Sequence, residues 1–187
     1  MLPMLHKFGS PHLRVTELYG LEPWSALQAG GTAWTRALEG QRVLVVHPFA
    51  ESIRKQYAGR REISAVRDVL PDFDIATLIP PVTFAGKNDG RAWTQNLQAL
   101  MAETARRQFD VALIGCGAYG LPLGAFVKQL GRKAVHLGGA TQILFGIRGG
   151  RWDAWDSYRR LMNAGWIRPS PEERPSQAEA VESACYW

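Results

Sequence analysis

The sequence predicts an α/β protein of three layers, with helices packed on both faces of a mostly parallel sheet. Three observations predict it. Val111-Ala-Leu-Ile114 is a short, unbroken apolar run, the pattern of a strand buried on both faces. It ends in a glycine turn, Gly115-Cys-Gly117-Ala-Tyr-Gly120, after which Leu121, Leu123, Phe126, Val127 and Leu130 recur at helical spacing. Similar pairs of apolar run and periodic segment recur along the chain, and strands alternating with helices build a parallel sheet covered on both sides.

Taken in order, Leu13 to Leu18 reads as a first strand, followed by a connection from Tyr19 to Gly40. Gly30-Gly31 marks a turn there, and Trp34 to Leu38 a short helix. Arg42 to Val46 is the next strand and stops at His47-Pro48; Ala50, Ile53 and Tyr57 then face one side of a basic helix. Pro71-Asp72 resets the chain before a strand over Phe73 to Ile79, which Pro80-Pro81 terminates. Asn88 or Asp89 can cap a helix over Arg91 to Phe109, where Trp93, Leu97, Leu100, Met101 and Thr104 share a face. After the glycine turn and its helix comes a strand over Ala134 to Leu137, ended by Gly138-Gly139. Thr141 to Ile147 fits helix or strand, and Trp152 to Met162 reads as helix. Residues 1–167 are expected to form a single α/β domain. Residues 168–187, with prolines at 169, 171 and 175, are expected to form an extended tail that docks back through Val181 to Trp187, a disordered terminus being the alternative.

Composition narrows the class. The chain has 187 residues, of which 46% are apolar and 21% charged, enough to bury a substantial core. No apolar run approaches the roughly 20 residues that cross a bilayer, and the first ten residues lack a signal-peptide core, so a cytoplasmic protein is expected. Two cysteines, Cys116 and Cys185, are too few for a disulfide framework and lack metal-ligand spacing. The net charge of +5 includes a cluster at Arg54, Lys55, Arg60, Arg61 and Arg67. Such a face is either plainly solvated or suited to phosphate-bearing substrates and anionic surfaces. No nucleic-acid recognition signature accompanies it.

Ligands of parallel α/β sheets bind beyond the carboxyl ends of the strands. Three turns would meet at that edge: His47-Pro48-Phe49 with Ser52, the turn from Gly115 to Gly120, and Gly138-Gly139-Ala-Thr141-Gln142. A strand, glycine turn and helix in succession aim backbone N–H groups and a helix dipole at an anion, commonly a diphosphate. The candidate phosphate-binding residues are therefore Gly115, Gly117, Ala118, Tyr119, Gly120, Gly138, Gly139, Thr141 and Gln142; the plainer reading is that the glycines only permit tight turns. A nicotinamide cofactor is disfavoured, because the following strand ends His136-Leu-Gly-Gly139 with no carboxylate for the ribose. Cys116 suggests a nucleophile on a strand-to-helix elbow, but Ile114 stands where that motif wants a small residue, so a buried structural thiol is preferred. His47, at a strand end before Pro48, reads as a base, a phosphate ligand or a residue bonding its own turn, and is the best placed candidate base, whereas His136 reads as a core histidine. Arg148 and Arg151 flank Gly149-Gly150 and could clamp a diphosphate. Asp153 and Asp156 are close enough on a helix to share a metal, a weak signal by itself.

Three blocks together resemble one family: Val45-Val-His-Pro-Phe-Ala-Glu-Ser-Ile53 with Gln56-Tyr57; Asp110-Val-Ala-Leu-Ile-Gly-Cys-Gly-Ala-Tyr-Gly-Leu-Pro-Leu123; and His136-Leu-Gly-Gly-Ala-Thr-Gln142 with Phe145-Gly-Ile147 and Arg151-Trp152. They look like bacterial proteins related to GT-D-fold glycosyltransferases, and Glu182-Ser-Ala-Cys-Tyr-Trp187 fits the same pattern. The resemblance spans Leu21 to Trp187. It implies a Rossmann-like fold and transfer of a sugar from a nucleotide sugar to a sugar or lipid-linked acceptor in surface-polysaccharide or glycoconjugate synthesis. It also implies Mn²⁺ or Mg²⁺ held by an N-terminal Asp-x-Glu motif, but the chain contains no Asp-x-Glu. The expected function is a glycosyltransferase-type protein binding a nucleotide sugar at the Gly115–Gly120 turn, with self-association left open. The alternatives are a non-catalytic nucleotide-sugar-binding or partner protein and a Cys-dependent α/β hydrolase.

Overall fold

A computed structural model describes residues 22, 24, 30–64, 69–83, 89–180 and 182–187. The strand expected at Leu13 to Leu18 lies outside these residues, as do Arg67 and Asn88. Four strands form one all-parallel sheet: β1 (Arg42–Val46), β2 (Asp74–Leu78), β3 (Val111–Ile114) and β4 (Lys133–His136), in the order β2-β1-β3-β4. Around it lie α1 (Ala50–Ala58), α2 (Arg60–Ile63), α3 (Trp93–Ala105), α4 (Gly120–Gln129), α5 (Ala140–Leu144), α6 (Gly150–Asp153) and α7 (Asp156–Arg159). The architecture is the expected α/β fold, consistent with a Rossmann-like sandwich.

The apolar runs have no polar side because both sheet faces are covered. Successive side chains in a strand point to opposite faces. Val43, Val45, Val111 and Leu113 enter one core with Ile53, Tyr57 and Phe145. Leu44, Val46, Ala112 and Ile114 enter the other with Leu100, Phe109, Leu123 and Val127. Fully burying each large aliphatic side chain contributes about 1.5–3 kcal/mol, so these eight positions commit β1 and β3 to the centre. At the opposite edge from the strands' carboxyl ends, the Arg42 guanidinium grips both Asp110 carboxylate oxygens at 2.6 and 3.0 Å. That pairing holds the Asp110 carboxyl well below the usual carboxylate range.

Several boundaries differ from the sequence pattern, each for a local reason. The segment Thr141 to Ile147 resolves into the end of α5 and a turn, where Gly146 at φ +67 ends the helix in the left-handed region that favours glycine. Ile147 then pairs with Ile167 in an isolated parallel bridge. The single helix expected over Trp152 to Met162 is instead α6 and α7. Asp153 is tied to Arg148 and Arg168, and Asp156 opens a new helix, the end at which a carboxylate is favourable. Helix α3 is shorter than Arg91 to Phe109 at both ends. Asp89 does not cap it; Gln95 Oε1 accepts from the Ala92 N–H at 2.9 Å, while Asp89 Oδ1 accepts from the Arg91 N–H at 3.1 Å.

The last segment lies against the body. Arg151 N–H donates to the Cys185 carbonyl (2.8 Å), Gln142 Nε2 donates to the Tyr186 carbonyl (3.1 Å), and the Trp187 ring meets Phe49 edge-on at 5.7 Å. No helix among the described residues is long and apolar enough to cross a membrane. The basic cluster is partly neutralised: Arg54 pairs with Glu51, and Arg60 and Arg61 share Asp72.

Candidate functional site

The chain leaves β1 toward β2 on one side, and β3 joins β1 on the other, so the strand order reverses between β1 and β3. That is where open parallel sheets leave a crevice beyond their carboxyl ends. A cleft of about 350 Å³ lies there. Its walls are His47, Pro48 and Phe49 after β1, Gly115 and Gly117 after β3, His136, Gly138, Gly139 and Gln142 around β4, and Glu182, Tyr186 and Trp187 of the last segment.

The three candidate turns are not equivalent. The first is already occupied. Glu173 Oε1 accepts from the N–H groups of Glu51 and Ser52 (2.8 and 3.1 Å), and Ser52 Oγ donates to Glu173 Oε2. The start of α1 is thus filled by a carboxylate of the same chain, and Ser52 is used up. The second turn is open. Gly117 sits at φ +55 with nothing within 4 Å of where a Cβ would stand. Among the described residues, no group accepts from the N–H of Gly117 or of Ala118. The third turn adds the N–H of Gly139, likewise without an acceptor, and Gly138 at φ +57 with open space above it.

Two other glycines are there for packing. A Cβ on Gly115 would stand 2.5 Å from His47 Cδ2 and 2.7 Å from the Gly138 carbonyl, so all three turns close onto this residue. Gly120 lies beneath the His136 ring, 2.8 Å from Nδ1 by the same construction. The Gly115 clash involves the Gly138 backbone and cannot be relieved by moving a side-chain end, whereas a side chain at Gly120 would displace the His136 ring.

The two histidines carry opposite tautomers. His47 is buried, and its Nδ1 accepts from the Phe49 N–H at 3.0 Å, which places the ring proton on Nε2. Burial pushes its pKa down to about 3, so the ring is neutral and presents a donor. His136 is half-buried, and its Nδ1 meets the Ile114 carbonyl at 3.0 Å. A carbonyl only accepts, so the neutral His136 ring keeps its proton on Nδ1 and its lone pair on Nε2. The sequence reading of His136 as a core residue missed this. Its one signal was a position at the last residue of a strand, at the ligand-binding edge.

Other candidates fall elsewhere. Tyr119 is buried, stacked on Trp93 at 5.4 Å, with its hydroxyl 3.3 Å from Thr83 Oγ1. Thr141 is fully buried and bonds the Ile114 carbonyl at 3.4 Å. Gln142 is also fully buried; Nε2 pins Tyr186, while Oε1 has no partner among the described residues. Arg148 faces Asp153 at 3.5 Å and is not in the cleft wall. Arg151 pairs with Glu182 and lies 4.7 Å over the Tyr186 ring. Cys116 is buried, and burial pushes its thiol up to about 12, far from a reactive thiolate.

No three of His, Cys, Asp and Glu come together among the described residues, and Asp153 and Asp156 are committed to arginines. Compared with family models, with curated proteins and with solved structures, the chain matches none of them.

Proposed function

We propose that the chain binds the diphosphate of a nucleotide sugar in the cleft between β1 and β3, and acts as a glycosyltransferase-type protein in polysaccharide or glycoconjugate synthesis. The observation that carries this reading is that, among the described residues, the N–H groups of Gly117 and Gly139, both in the wall of the cleft where the strand order reverses, have no acceptor, as does that of the adjacent Ala118. They lie beside the start of α4, a ten-residue helix whose dipole favours an anion. In this reading His47 donates Nε2–H to a phosphate oxygen instead of acting as a base. Gly115 holds the turns together, and Gly117 leaves room for the phosphate. The leaving diphosphate gains negative charge as the sugar bond breaks, and fixed donors stabilise that charge without reorganising. No step is assigned to a metal.

A non-catalytic binding protein is the second reading. It is favoured by the arginines: Arg148 and Arg151 are both paired with carboxylates, so among the described residues the cleft wall holds amides, two histidines and the Glu182 carboxylate but no cation. The thiol-hydrolase reading loses its physical basis with the protonated, buried Cys116.

Calorimetric titration with UDP, GDP, dTDP and inorganic pyrophosphate tests the site. At least one nucleotide should bind, and Gly117→Ala should weaken it tenfold or more, equivalent to about 1.4 kcal/mol. No binding by any of the four would overturn the proposal. Release of nucleoside diphosphate from UDP-glucose, GDP-mannose or dTDP-glucose would separate a transferase from a binding protein.

A further inference from the structure

A second cavity, of about 580 Å³, lies on the other side of the Gly138-Gly139 turn. His136, Gly138 and Gly139 line both cavities. The lining of the second is different in kind. Trp152, Trp155 and Tyr158 contribute aromatic surface, and Trp155 is 57% exposed although it is among the largest apolar side chains. Polar groups stand beside these rings: Arg151, and the Glu22 carboxylate, which accepts from the Tyr158 hydroxyl at 2.6 Å. Glu22 is buried, and that burial raises its pKa. An exposed indole next to hydrogen-bonding groups suits a sugar ring, whose C–H face packs on an aromatic face while its hydroxyls find polar partners.

We propose that this second cavity is an acceptor-sugar site, and that His136, shared by both cavities, takes the proton from the acceptor hydroxyl. The proposal rests on the nucleotide-sugar reading of the first cleft for the identity of the donor. The acceptor oxygen attacks the anomeric carbon held in the first cleft. The bond from that carbon to the diphosphate oxygen breaks, and its electron pair leaves with the nucleoside diphosphate. The hydroxyl proton passes to His136 Nε2, whose lone pair is kept available because Nδ1–H is spent on the Ile114 carbonyl. Gly120 has no side chain, which lets the imidazole lie against the start of α4.

Saturation-transfer NMR with maltose, lactose and chitobiose tests the cavity directly. At least one disaccharide should bind the wild-type chain, and Trp155→Ala should weaken it fivefold or more while leaving UDP affinity unchanged. Absence of binding by all three, or binding indifferent to Trp155→Ala, would overturn the acceptor site even if UDP binds. A Trp155-dependent disaccharide with no nucleotide bound would instead sustain the cavity and overturn the donor reading. For His136, nucleoside diphosphate release from UDP-glucose, GDP-mannose and dTDP-glucose is followed with the bound disaccharide. His136→Gln should lower kcat by about 10²–10⁴-fold, flatten the acid limb of the pH profile and leave the disaccharide KM within about threefold. A kcat loss below tenfold, an unchanged pH profile, or no release by the wild type would overturn its role.

Discussion

At His47 the local geometry has a thermodynamic consequence. The ring is neutral in the fold, with a pKa near 3, but protonates near 6.5 once unfolded. Below 6.5 the unfolded chain therefore binds the extra proton, and stability falls as pH drops from about 6.5 toward 3, with a slope of about 1.4 kcal/mol per pH unit from this group. Urea unfolding at pH 7, 6, 5 and 4 should show that decline, and His47→Gln should flatten it; parallel curves would mean the ring is not buried neutral. Cys116 makes a second prediction at this scale. With its thiol near 12, it should resist iodoacetamide at pH 8 in the folded protein, while Cys185, which is less buried, reacts first. Mass spectrometry of the peptides would check the order.

Among the elements, α1 shows how one distant residue decides what a helix start can do. Ala50, Ile53 and Tyr57 mark the helix in the sequence, yet nothing near them announces that Glu173, more than a hundred residues later, fills its N-terminus. The carboxylate satisfies two N–H groups and meets the helix dipole favourably. Glu173→Ala should cost about 1 kcal/mol, as loss of a helix cap typically does, measured as a shift in urea midpoint. Among the described residues the turns after β3 and β4 have no such occupant, and this difference sorts three similar glycine- or proline-bearing turns into one used and two open. The pair α6 and α7 teaches the same lesson. Helical spacing joined Trp152 to Met162, but the Arg148–Asp153–Arg168 contacts broke the run and left Trp155 outward.

For the molecule as a whole, the sheet order is what gives the site its location. β1 and β3 are central and almost wholly buried, and β2 and β4 are half-buried edges. Amide hydrogen exchange should therefore be slowest in Val43 to Val46 and Val111 to Ile114, and measurably faster in β2 and β4. Uniform protection across all four strands would contradict the order. The last segment also acts at this scale, because Tyr186 and Trp187 complete a cleft whose other walls belong to strand ends far earlier in the chain.

Fold class and the location of β1, β3, β4 and the glycine turns were legible in the sequence. Continuous apolar runs and glycines at turns are local features of the chain, whereas the crowding at Gly115 and Gly120 comes from His47, Gly138 and His136, which only the fold brings there. The sequence could not tell which histidine donates and which accepts, since each ring's tautomer depends on one backbone group brought to it by folding. Nor could it tell that Arg148 and Arg151 are spent on carboxylates, or that one cleft and one aromatic cavity share His136. Some of these pairings are short in sequence, such as Phe49 with His47 and Asp153 with Arg148, and others are long, such as Ile114 with His136 and Glu182 with Arg151; all depend on side-chain directions that only the packing of the sheet and its last segment decides.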